Sequence, residues 1–264
     1  MYKIIDTHIH LYSEEIDKNI ENYLDDNFSN DVIELFNTAD SYESFEKILS
    51  LSSKYPGKVH SILGIHPEYA NYGEEYLEKS IEFIKANKDK IVAVGEIGLD
   101  YHFDKSEENK INQKHYFIKQ IELAKELGLP IVVHSRDASL DTYEMIAEHC
   151  KGMKVDLHCY SSSKEVAENY LRLKDVEVYF GVGGVLTFKN NVVTKEVVEH
   201  VPLERILTET DAPYLTPVPF RGKLNNPKYI KYVLEKIAEI KKMSVFEVNE
   251  IINNNVRRFF NVGK

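Results

Sequence analysis

An α/β chain closed as a (β/α)8 TIM barrel is the fold this sequence predicts, and three observations carry it. Short β-rich runs alternate with polar or amphipathic stretches eight times along the chain. Each run is short enough for a buried parallel strand. No Ser/Gly linker, low-complexity tract or composition break divides the alternation, so residues 1–264 read as a single domain. A doubly wound open sheet usually has fewer strands and a Gly-rich turn after the first one, where this chain has Asp6-Thr7-His8-Ile9-His10.

The strands are expected, in order, at 3–9, 31–37, 59–65, 91–95, 130–134, 154–158, 177–182 and 205–209. The helices between them carry their own punctuation. In 109–127, Phe117, Ile121, Ala124 and Leu127 share a face, and Gly128 followed by Pro130 ends the helix and delivers the chain into the fifth strand. After the seventh strand, Gly181-Val182-Gly183-Gly184 matches neither a dinucleotide fingerprint nor a phosphate loop and reads as a tight bend. Toward the end, Asn226-Pro227 supplies a cap and a first-turn proline. Ser244 with Glu247 forms a capping box ahead of Val248, Ile251, Ile252 and Phe259, a helix expected to pack against the barrel.

Composition narrows the function. With 33 Lys and Arg against 43 Asp and Glu, the net charge is −10, which disfavours broad coating of duplex DNA, since that binding comes from cations neutralising many phosphates. The hydrophobic fraction of 43% excludes a disordered chain. No apolar run reaches the roughly 18 residues a spanning helix requires, so no membrane role is expected. Two cysteines, Cys150 and Cys159, are too few for a disulfide framework, and the first residues lack the pattern of a secretory leader; a cytoplasmic location is the expectation. Nothing points to an obligate protein partner.

The chemistry lies at the strand ends. His8 and His10, two apart on the first strand, point to the same side. Glu96 follows the fourth strand, His134 ends the fifth, His158 ends the sixth and Asp211 follows the eighth. Singly, each has a structural explanation as a hydrogen-bonded imidazole or a helix cap. Jointly, six such groups from five strands meet at the C-terminal rim, where barrels of this kind hold their active sites. Four imidazoles and two carboxylates suffice for two divalent ions sharing a carboxylate such as Glu96.

These residues sit in blocks that resemble the TatD-like metal-dependent deoxyribonucleases of the amidohydrolase superfamily: DTHIH (6–10), GIHP (64–67), GEIGLDY (95–101), LPIVVHSRDA (129–138), HCY (158–160), TFKN (187–190), TETDAPYL (208–215) and PFRGK (219–223). The resemblance runs nearly end to end. It implies a TIM barrel and metal ligands at His8, His10, Glu96, His134, His158 and Asp211. One departure follows His158: similar proteins carry an aromatic residue, Ser and Gly, whereas this chain has Tyr160-Ser161-Ser162, which is expected to reshape that loop.

His8, His10 and Asp211 are assigned to one ion and His134 and His158 to the other, with Glu96 on both and Asp211 as the base. Ligand softness favours Zn, Mn, Ni or Fe over Mg, whereas the resemblance implies Mg. Arg136, Lys189 and Arg221 are candidates for phosphate contact, His66 and His102 for substrate contact, and Tyr101, Tyr160 and Tyr214 for base stacking. Together these suit an end of single-stranded DNA or RNA, and the resemblance adds 3′ to 5′ polarity. The alternatives are amide, ester or aminoacyl-tRNA hydrolysis on the same site, and a noncatalytic barrel with structural metals.

Overall fold

The computed structural model describes residues 2–263. Its eight strands are β1 (Ile4–Ile9), β2 (Val32–Thr38), β3 (Val59–Leu63), β4 (Ala93–Asp100), β5 (Ile131–Arg136), β6 (Met153–Leu157), β7 (Val176–Val182) and β8 (Ile206–Thr208). They form one parallel sheet in chain order. The barrel closes where Ile9 bridges Ala212: His10 N–H donates to the Ala212 carbonyl at 2.9 Å and Asp211 N–H to the His8 carbonyl at 3.0 Å. Buried Asp6 reinforces this seam by accepting from Thr210 N–H at 2.9 Å and from the Thr210 hydroxyl.

Helices cover the outside: α1 (Glu14–Asp17) and α2 (Ile20–Phe28) after β1, α3 (Phe45–Lys54) after β2, α4 (Glu74–Ala86) after β3 and α5 (Glu107–Leu127) after β4. Then come α6 (Ser139–His149), α7 (Lys164–Leu171) and α8 (Val192–His200), with α9 (Ile230–Lys241) and α10 (Val245–Phe260) after β8. Local chemistry sets their ends. Ser106 Oγ accepts from Asn109 N–H to start α5, and Gly128, at φ 66°, ends it in the left-handed conformation. The expected capping box is present at Ser244 and Glu247.

The floor of the barrel is apolar. Ile5, Phe36, Ile62, Val132, Tyr179 and Leu207 face Val256, Phe259 and Phe260 of α10, with Phe260 stacked on Phe36 at 4.1 Å. Each such burial is worth about 1.5–3 kcal/mol, so α10 serves packing and leaves the opposite end free for polar groups.

Strand bounds differ from expectation chiefly at β4. It runs on through Glu96 to Asp100 instead of ending at residue 95, because the apolar residues Ile97 and Leu99 continue the buried alternation. Glu96 therefore projects from within a strand, a firmer support than a loop. Ser162 does not adopt a left-handed backbone; Cys159 does, at φ 46°, so the serine in place of glycine imposes no strain.

Candidate metal centre

The six expected ligands meet. His8 Nε2 lies 3.2 Å from His10 Nε2 and 3.3 Å from Glu96 Oε2, and His10 Nε2 lies 3.3 Å from Asp211 Oδ1. The longer separations in this group are 3.8 Å, His10 to Glu96, and 4.0 Å, His8 to Asp211. On its other side, Glu96 Oε1 stands 2.8 Å from His134 Nδ1 and 3.7 Å from His158 Nε2. The two oxygens of one buried carboxylate are thus divided between two groups of imidazoles.

The outer nitrogens explain why the inner ones are free to bind a metal. His10 Nδ1 donates to the Thr38 carbonyl at 3.0 Å, His158 Nδ1 to Glu209 Oε2 at 3.1 Å, and His134 Nε2 to Asp100 Oδ2 at 2.9 Å. A neutral imidazole has one N–H, so with that hydrogen on the outer acceptor a lone pair faces inward, the arrangement that metal-ligating histidines adopt; His134, whose Nδ1 also bonds Glu96 Oε1, takes this form once it loses its second proton. His8 Nδ1 is buried without a hydrogen-bond partner, leaving Nε2 as its working atom. Ligands at bonds of about 2.1 Å around one ion lie roughly 3.0–3.4 Å apart, so the inner separations fit a divalent cation.

Electrostatics agree with this donor set. Burial alone would raise the Glu96 carboxyl, but the imidazoles of His158 and His8 and the hydrogen bond from His134 hold it well below the carboxylate range. Burial also opposes ionisation of Asp211, and His10 with His158 outweighs it and lowers the carboxyl. Burial would lower His134, yet Asp100 and Glu96 raise it to about 9. Asp211 and Cys159 both adopt left-handed backbones, φ 57° and 46°, a local strain that the surrounding hydrogen bonds maintain.

Asp100 and Glu209 were missed in the sequence, although each carried a signal: Asp100 lies four residues after Glu96, on the same face of β4, and Glu209 lies two residues before Asp211. Glu209 Oε1 also accepts from Cys159 N–H, at 2.5 Å. Gly98, at φ 140°, lets β4 approach β5, since a Cβ there would meet the His134 carbonyl at 2.0 Å.

The remaining expected residues divide. His66 faces the centre, its Nε2 3.8 Å from Glu96 Oε1, while Nδ1 accepts from Glu68 N–H; Nε2 therefore carries the hydrogen and is a donor. Arg136 lines the mouth. His102 is exposed and turns to Asp137 at 3.2 Å, outside the cavity wall. Lys189 and Arg221 are exposed and do not line it either; the Arg221 guanidinium lies over Phe188 at 3.8 Å. Tyr101 and Tyr160 are buried, with hydroxyls bonded to Asp141 and the Ser163 carbonyl, so they present no ring for stacking. Tyr214 does, at 58% exposure, and so does Phe103, which went unnoticed in the sequence.

Residues 5–261 match the sequence profile of the family described as TatD related DNase. This chain belongs to that family. Among TatD relatives, the uncharacterized metal-dependent hydrolase YabD of Bacillus subtilis is 37% identical over 98% of this chain and 99% of its own. An uncharacterized metal-dependent hydrolase of Methanocaldococcus jannaschii is 34% identical over 98% and 97%. The crystal structure of YjjV, a TatD homologue from Escherichia coli, superimposes with a TM-score of 0.89 at 28% identity over 99% of each chain. A dihydroorotase at 14% identity, with a TM-score of 0.64 over 99% of this chain and 83% of its own, shares the fold. Family and relatives place this TatD protein among the metal-dependent hydrolases.

Proposed function

We propose that this TatD protein hydrolyses the terminal phosphodiester at the 3′ end of single-stranded DNA, with RNA as a second polymer, using two divalent ions in the centre described above. The observation that carries the proposal is the division of Glu96, with Oε2 toward His8 and His10 and Oε1 toward His134 and His158. His8, His10 and Asp211 would hold one ion, His134 and His158 the other, and Glu96 both. Such a pair of ions polarises a phosphoryl oxygen, acidifies a water and offsets charge on the attacking and leaving oxygens.

The chain's own groups supply the rest. Asp211, ionised through the neutral range, accepts the proton of the attacking water at Oδ1 or Oδ2. His66 directs its Nε2–H into the cavity and can donate to a substrate oxygen. Arg136, exposed at the mouth, contacts the phosphate. The phosphodiester preference and the 3′ to 5′ direction draw support from the family and from resemblance. Free Cys150 and Cys159 suit a reducing compartment, consistent with a cytoplasmic enzyme.

The test is digestion of 5′-labelled and 3′-labelled single-stranded oligonucleotides with Mg²⁺, Mn²⁺ or chelator, beside Asp211→Asn at matched metal content. The expected result is metal-dependent shortening from the 3′ end that the variant loses by two to four orders of magnitude, about the contribution of a general base. Absence of cleavage in metal-loaded protein overturns the proposal and moves the search to amides, esters and aminoacyl-tRNA.

A further inference from the structure

Resting on the phosphodiesterase reading, we infer that the mouth is built for one terminal nucleotide and one phosphodiester, so that dinucleotides and very short oligonucleotides are preferred to long strands. The cavity is about 660 Å³, of a size for a single small ligand, and its walls have two chemical characters.

One character is aromatic. Phe103, 75% exposed, follows β4, and Tyr214 follows β8. In a closed barrel of eight strands in chain order these are opposite positions, so the two rings flank the metal centre from facing sides. The Tyr214 ring lies 6.5 Å from that of His10, while Phe103 carries the Arg136 guanidinium 5.2 Å from its centroid. An exposed ring held by an arginine offers a face for a base and a cation for its phosphate in one unit.

The other character is acidic. Beyond the metal ligands, the mouth is lined by Glu14, Glu15, Asp40 and Glu68, and Arg136 is the single Lys or Arg among its described lining residues. Lys18 offsets Glu14 at 2.6 Å. Glu15 and Asp40 have no Lys or Arg within ion-pair distance among the described residues. Proteins that track a long single strand line its path with positive charge. Here the sign is reversed outside the centre, so a phosphate at the metals is accommodated while those further along the strand meet carboxylates.

The experiment compares kcat/KM of the metal-loaded enzyme on a dinucleotide and on a long single-stranded oligonucleotide of the same terminal sequence, between about 50 and 200 mM salt. The dinucleotide is expected to be the better substrate, with the long strand gaining several-fold as salt screens the rim. Glu14→Gln combined with Glu15→Gln is expected to shift the ratio toward the long strand at low salt. Phe103→Ala is expected to raise KM several-fold for the dinucleotide and by less for a dinucleotide with an abasic terminal sugar, which keeps the phosphate contact of Arg136 but has no base to stack; equal losses on the two substrates would show that the ring does not stack a base. Preference for the long strand, with a rate falling as salt rises, overturns the inference while leaving the phosphodiesterase reading intact. Failure to cleave either substrate with any metal removes that reading and the inference with it.

Discussion

Gly181 of β7 leaves room for Glu209, the residue just beyond β8: a Cβ on Gly181 would stand 2.5 Å from Glu209 Oε2, 2.8 Å from Cδ and 2.9 Å from Oε1. The absent side chain makes the space in which the Glu209 carboxylate reaches His158 Nδ1 and the Cys159 N–H. Gly181 is not in the left-handed region, so Ala is compatible with its backbone and acts through Glu209 alone. Gly181→Ala is therefore expected to weaken metal binding about as much as Glu209→Gln, on the order of 10–100-fold, with the double variant little worse than either. Chelator competition measures this. Wild-type affinity in Gly181→Ala would show that the carboxylate does not hold His158.

Asp100 supports the second group in the same way. Its Oδ2 holds His134 Nε2, its Oδ1 accepts from His102 N–H at 2.8 Å, and its peptide group exchanges two 2.8 Å hydrogen bonds with the Gln113 side chain. Asp100→Asn keeps the shape and removes the charge, so a loss of about 10–100-fold in metal affinity is expected. Gln113→Leu is expected to produce a smaller loss of the same sign by loosening the end of β4. If Asp100→Asn binds metal as the wild type does, the orientation of His134 comes from elsewhere.

What the sequence could disclose follows from how far each residue depends on its own strand. His8, His10, His134 and His158 were legible because period-2 geometry at a strand end fixes where they point. Asp100 and Glu209 are partners of partners, visible only once β4 lies beside β5 and β8 brings its trailing loop near β6. Arg221 looked close to the site because it follows the eighth strand, yet it sits well along the connection from β8 to α9 and stacks on Phe188 instead. Nothing local distinguishes exposed Phe103 from buried Tyr101 two residues earlier; the path of the chain after β4 decides it.

At the opposite end of the barrel, acid sensitivity is expected from Glu34. Burial would raise its carboxyl, but hydrogen bonds from His60 at 2.9 Å and from Arg257, together with the guanidinium charge, lower it to about 2. A depressed carboxyl contributes stability that is complete above its unfolded value of 4.5 and is lost as pH falls toward 2. This cluster ties α10 to β2 and β3, so Arg257→Ala is expected to lower unfolding free energy by about 2 kcal/mol at neutral pH, discounted for partial exposure. Urea unfolding at neutral pH and near pH 2.5 checks it. An unchanged difference between variant and wild type at the two pH values would remove Glu34 as the cause.

Metal stoichiometry gives the most direct reading of the divided carboxylate. With Glu96 oxygens serving both groups, two equivalents of Mn²⁺ or Zn²⁺ are expected to bind, each raising the melting temperature by mass action on the folded state. Glu96→Ala is expected to weaken both sites together, whereas His10→Ala is expected to weaken one more than the other, because His10 Nε2 stands with His8 and Asp211. The pH dependence has a definite sign. His134, raised to about 9, must lose its proton to bind, so affinity increases as pH rises toward 9, and uptake at neutral pH releases protons to the buffer. Titration calorimetry in buffers of different ionisation enthalpy, alongside elemental analysis of the loaded protein, reads both quantities. Saturation at one equivalent, with Glu96→Ala and His10→Ala equally impaired, would show that the two groups act as a single site.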